Sequence, residues 1–97
     1  MIRNETVVFT GTLASMTRKQ AQALVRSLGG QVQYSLSKKA TILVIGRSTL
    51  DLFEQDHRSL KLKHAEELQD KGFSLRKMGE EEFIKLSITQ LQSKLNE

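Results

Sequence analysis

At 97 residues and 11.0 kDa, the chain is the size of one domain and too short for two. Its 38% apolar and 27% charged residues describe a soluble globular domain, with no apolar run near the roughly 20 residues of a membrane span, and the lack of cysteine excludes disulfides, thiolate metal sites and a cysteine nucleophile. The net charge of +4 is uneven: residues 1–47 carry seven Lys/Arg and one acid, residues 48–97 eight Lys/Arg and ten acids, so a basic half suited to anions adjoins an acidic one.

Thr6-Val7-Val8-Phe9-Thr10 is short, β-branched and apolar, and Gly11 stops it; it reads as a buried strand. Thr17 and Gln20 have capping-box spacing, and Ala21, Leu24, Val25 and Leu28 follow at i, i+3, i+4 and i+7. This predicts a helix over 18–28, ended by Gly29. Gln31-Val32-Gln33-Tyr34 alternates as a short strand. Thr41-Ile42-Leu43-Val44-Ile45 is a continuous apolar run, as in a strand covered on both faces. The link through Leu36-Ser37-Lys38-Lys39 is long enough for a hairpin or a parallel crossover. Residues 47–58 have no clean period and read as a loop. Ser59 is placed to cap a second helix, with Leu62, Ala65 and Leu68 as its stripe and Gly72 as its end. Phe73-Ser74-Leu75-Arg76 reads as a fourth strand. Gly79 then opens a third helix whose first turn holds Glu80, Glu81 and Glu82, acids that complement the helix dipole. Ile84, Ile88, Leu91 and Leu95 continue on one face of it. The order β-α-β-β-α-β-α favours an α/β fold with a parallel sheet and helices on both faces.

Motifs for catalysis are few. His57 and His64 have no cysteine partner, so no metal is expected. Neither the Gly-x-Ser-x-Gly elbow nor the Walker and dinucleotide glycine patterns occur. The three glutamates read as a solvated helix turn. What remains is a strand end, Thr10-Gly11, followed by a basic helix start at Arg18-Lys19. Ligands of parallel α/β sheets bind beyond the carboxyl ends of the strands. There, Thr10 offers a hydroxyl donor, and Gly11 lets an anion approach the backbone closely. A tight turn alone explains the same two residues equally well. The opening MIRNETVVF lacks the apolar stretch of a secretion signal, so the cytoplasm is the expected location.

Four stretches together resemble the BRCT family: Val7–Leu13, Met16-Thr17-Arg18, Leu28–Val32 and Ser35–Val44. The likeness is to the subclass found in bacterial NAD-dependent DNA ligases, the clamp-loader large subunit and polymerase III epsilon-type exonucleases. It covers about residues 5–87 of a single domain over 1–97; residues 88–97 would extend the third helix or form a tail. The resemblance implies a four-stranded parallel sheet flanked by three helices, one on one face and two on the other. It implies a non-catalytic module without cofactor, carried by a replication or repair protein such as a ligase or a 3′–5′ exonuclease. Its ligand would be DNA ends or nicks bearing a 5′-phosphate. The phosphate-binding positions carry over to Thr10, Gly11, Arg18 and Lys61, the last within Leu60-Lys61-Leu62-Lys63-His64-Ala65. Thr12, Lys19, Lys38, Lys39 and Lys63 would add DNA contacts, and Lys63 and Arg58 compete with Lys61 for register. Phosphate contacts carry no sequence information, so binding without base specificity is expected. Each phosphate neutralised would contribute a salt slope of about −0.9.

A second reading is a protein–protein adaptor tethering the parent enzyme to replication or repair partners, phosphopeptides among them. Leu50, Leu52 and Phe53, or the helix face at Ile88, Leu91 and Leu95, would then form the contact unless core packing absorbs them. Phe83 stands where tandem phosphopeptide-binding pairs carry Trp, which argues against that mode.

Overall fold

A computed structural model describes residues 2–46, 60–72 and 74–96; of the side chains of 60–64 nothing is said. The elements are β1 (Thr6–Thr10), α1 (Arg18–Ser27), β2 (Gln31–Gln33), β3 (Ile42–Ile45), α2 (Leu60–Asp70), β4 (Arg76–Gly79) and α3 (Glu80–Leu95). All strand pairs are parallel, in the order β2-β1-β3-β4. The open link after β2 is thus a crossover, which carries the chain past β1 to its other side.

Central β1 explains its own composition. All five of its residues are buried, because it has a strand on each side and helices on both faces. Val7 and Phe9 face one layer with Ala21, Val25 and Leu28 of α1, Met78 of β4 and Phe83 of α3. Val8 faces the other layer with Leu36, Ala40, Leu43, Leu75, and Ala65 and Leu68 of α2. Two helices therefore cover one face and one the other. Phe9 and Phe83 meet edge to face at 5.4 Å across the larger layer.

Local signals set most boundaries. The capping box forms: Gln20 N–H donates to Thr17 Oγ1 (3.1 Å), and Thr17 N–H to Gln20 Oε1 (2.9 Å). The first strand matches its expected place; β2 ends one residue early, at Gln33, and β3 starts one residue late, at Ile42. There the Thr41 hydroxyl accepts from Thr6 N–H (2.8 Å) and donates to Thr6 O (3.2 Å), standing in for a ladder rung. The fourth strand departs most. It was expected at Phe73–Arg76 and lies at Arg76–Gly79. Leu75 is buried, but as the residue before the strand, packed in the smaller layer. The strand itself, RKMG, is polar because β4 is an edge strand with only Met78 inside. Ser59, Phe73 and the 47–58 segment lie outside the described residues.

The third helix inverts the usual pattern. Its buried residues are Phe83, Ser87 and Gln90. Ile84, Ile88, Leu91 and Leu95 do share one face, but only Ile84 packs against the larger layer; Ile88, Leu91 and Leu95 turn outward, 47%, 44% and 86% exposed. Gln90 can be buried because its amide is satisfied at both ends. It accepts from Ile2 N–H (2.7 Å) and donates to Leu28 O (2.6 Å). Ser87 donates to Phe83 O one turn back (2.9 Å). The helix runs unbroken to Leu95.

A candidate anion-binding cleft at the carboxyl edge of the sheet

Three strands end in one row. Thr10 is in register with Ile45, and Ile45 with Gly79. The residues just beyond the row are Gly11, Gly46 and Glu80. Gly11 has φ +78°, in the left-handed region that glycine enters without strain. Gly46 N–H donates to Thr10 O (2.8 Å), and a Cβ on Gly46 would come within 2.7 Å of Thr12 O. A side chain there would push the 11–13 segment off the sheet edge.

The segment from Gly11 to Thr17 is held at several points. Leu13 is buried in the larger layer. Thr17 is fixed by the capping box. Arg18, the first residue of α1, folds back and donates through Nη2 to Gly11 O at 2.6 Å. From the far side comes Glu80, the first residue of α3. Its carboxylate accepts from Ala14 N–H (2.6 Å), from Ser15 N–H (2.8 Å) and from the Ser15 hydroxyl. Two successive backbone N–H groups on one carboxylate make an anion nest, here filled from within the chain. The sequence read Glu80 as solvated. For the neighbouring Glu81 that description fits, since it is exposed and pairs with exposed Lys85 (3.2 Å). The signal for Glu80 was topological: β4 passes into α3 without a loop, so its first helical residue stands on the same edge as the 11–17 segment.

The result is an open cleft of about 470 Å³ lined by Gly11 to Arg18 and Gln20. Thr10 precedes the cleft rather than lining it, and its side chain is buried. Strand alternation puts it on the same face as Val8, the face that α2 covers. Arg18 belongs to α1, on the other face. The two flank Gly11 from opposite sides. A second cleft, at the amino edge, mixes Glu5 with Arg76 and Lys77. Its mixed charge and its position at the starts of the strands make it the weaker candidate for an anion.

Comparison with known proteins decides the family. The model of the BRCA1 C Terminus (BRCT) domain matches residues 3–72. The chain belongs to the BRCT family. Similar curated proteins are bacterial DNA ligases. That of Carboxydothermus hydrogenoformans is 56% identical over 41 residues, 42% of this chain and 6% of the ligase. That of Bartonella quintana is 53% identical over 45 residues, 46% of this chain and 6% of the ligase. That of Chlamydia felis is 40% identical over 67 residues, 69% of this chain and 9% of the ligase. The chain thus spans less than a tenth of the length of these relatives.

Within this BRCT domain the expected site residues divide. Gly11, Thr12 and Arg18 line one cleft, and Thr10 adjoins it. Lys61 and Lys63 fall in the first turn of α2, on the face that Thr10 points to, with side chains outside the described residues, as is all of Arg58. Lys19, Lys38 and Lys39 are exposed and do not line the cleft. Lys38 and Lys39 occupy the turn closed by Ala40 N–H to Ser37 O (3.1 Å), which leads into the amino end of β3, away from Thr10.

Proposed function

We propose that this BRCT domain is a non-catalytic module that holds the 5′-phosphate of DNA ends or nicks above Gly11, within a replication or repair protein of the cytoplasm. The observation that carries the reading is the Arg18–Gly11 clip. It fixes a guanidinium beside a left-handed glycine at the carboxyl edge of a parallel sheet. Arg18 has five N–H donors, and the clip accounts for one. Those remaining suit a bidentate bond to phosphate, the geometry that makes arginine strong there. Thr10 and Lys61 would approach the same phosphate from the α2 side. Glu80 keeps the nest at Ala14-Ser15 closed to the ligand and the segment in shape. Contacts of this kind position a nucleic acid without reading bases. The likeness to DNA ligases supports a ligase-type parent, whose chemistry would reside outside this chain. Among the described residues, no helix is long and apolar enough to cross a membrane.

The test is binding to two matched duplexes, one with a recessed 5′-phosphate and one with a 5′-hydroxyl, at low and physiological salt. Tighter binding to the phosphate end, amide shifts at Gly11 and Arg18, and a roughly tenfold loss in Arg18→Ala are expected, since hydrogen bonds to charged groups contribute about 1.5–3 kcal/mol. Lys19→Ala should change little. Equal binding to both duplexes overturns the reading.

The outward face of α3 favours the adaptor reading as a second role of the same domain, and its geometry narrows the choice of partner.

A further inference from the structure

We propose that the outward face of α3 is a self-association surface, on which two copies of this chain pair their α3 helices antiparallel about a two-fold axis. The proposal stands apart from phosphate binding.

The inversion of α3 is its starting point. The helix buries Ser87 and Gln90 and presents Ile88, Leu91 and Leu95 to solvent. Ile84, Ile88, Leu91 and Leu95 are spaced four, three and four apart. That is the alternation of d and a positions in a coiled-coil seam, which buries its apolar residues only against a second helix.

Charge selects the direction. The first turn of α3 carries exposed Glu81 and Glu82, while Glu80 stays in the Ala14–Ser15 nest and Lys94 on Ser27 O of its own copy. A parallel pair would bring the two acidic turns together. An antiparallel pair keeps them apart and opposes the helix dipoles. The layers then match without remainder. Ile84 meets Leu95 of the second copy, Ile88 meets its Leu91, and the two-fold repeats both pairs. No charged residue falls in these layers.

Shape agrees. Ile45, Gly46, Ile84 and Ile88 line a groove where the start of α3 meets the sheet edge, rimmed by Glu80, Glu81 and Lys85. At the other end Leu95 stands out at 86% exposure. The same two-fold sets each Leu95 against the groove of the other copy. A surface that carries both its groove and the ridge that fits it is complementary to itself, as an isologous interface requires. The seam is short, about 16 Å at 1.5 Å per residue. Association weaker than about 1 µM is therefore expected.

Sedimentation equilibrium of the whole chain from about 10 µM to 2 mM tests the proposal. The mean mass should rise from 11.0 kDa toward twice that value. Ile88→Glu and Leu91→Lys are solvent-facing changes, and each should weaken association at least tenfold while the circular dichroism melt is kept. Mixed one to one, the two variants should recover association. In the antiparallel register the introduced carboxylate faces the introduced ammonium, and the native Leu91 and Ile88 form the other layer. A parallel register gives no such pairing. A constant 11.0 kDa across the range, unaltered association in both variants, or no recovery on mixing would overturn the proposal. Neither residue lines the cleft at Gly11, so both variants should bind the 5′-phosphate duplex as the parent chain does.

Discussion

The two sides of α3 differ in a way that composition alone would assign backwards. The inner side holds an amide and a hydroxyl, Gln90 and Ser87, with Phe83. The outer side holds Ile88, Leu91 and Leu95, with Ile84 at its boundary, partly packed on the larger layer. The inner polar groups cost little because each has a partner: Gln90 binds Ile2 and Leu28, and Ser87 binds Phe83. The outer apolar groups have only partial cover among the described residues. Burial in a small domain therefore follows hydrogen-bond closure as much as hydrophobicity. An amide that joins three segments can hold a core position that leucine would fill by transfer energy alone.

The largest test of this contrast is Gln90→Leu. It keeps the volume and raises apolarity, yet it orphans the Ile2 N–H and the Leu28 carbonyl. At about 1–3 kcal/mol per buried orphan, a net loss of about 2–4 kcal/mol is expected. For a domain of this size the melting temperature should fall by about 10–25 °C. An unchanged melt would mean that the inner side has no such clamp.

Glu80→Ala should have a smaller effect, because the Ala14–Ser15 nest is exposed: about 1 kcal/mol in urea unfolding. Its sharper signature is local. Amide hydrogen exchange at Ala14 and Ser15 should accelerate at least fivefold, with β1 amides unchanged. Uniform acceleration would assign Glu80 a global role instead.

Leu95→Ser should change the unfolding free energy of dilute protein by less than about 0.5 kcal/mol, as for a surface substitution without special contacts. A loss above about 1.5 kcal/mol would place Leu95 in the core and erase the contrast.

The sequence shows the fold where one residue suffices to signal it. The β1 run, the Thr17–Gln20 box and the glycine after β1 are local patterns with local causes. It misplaces β4 because edge pairing needs only a backbone, while the eye goes to Phe73 and Leu75. It leaves the direction of the α3 stripe open, because nothing near Gln90 in sequence announces Ile2 or Leu28. At the candidate site, Gly11 and Arg18 were legible as a strand stop and a helix start. Glu80 was not, since its partners lie more than sixty residues away.

The bond from Gln90 to Ile2 also fixes where the chain enters and leaves. Ile2 precedes β1, at the amino edge of the sheet, and α3 returns from the carboxyl edge to meet it there. Lys94 Nζ lies 3.2 Å from Ser27 O, at the same end. Entry and exit thus share one pole, and the Gly11 cleft occupies the other. Tethers attached to either end would run away from the cleft. A short bridge joining the two ends, with a new opening elsewhere, should likewise preserve the fold.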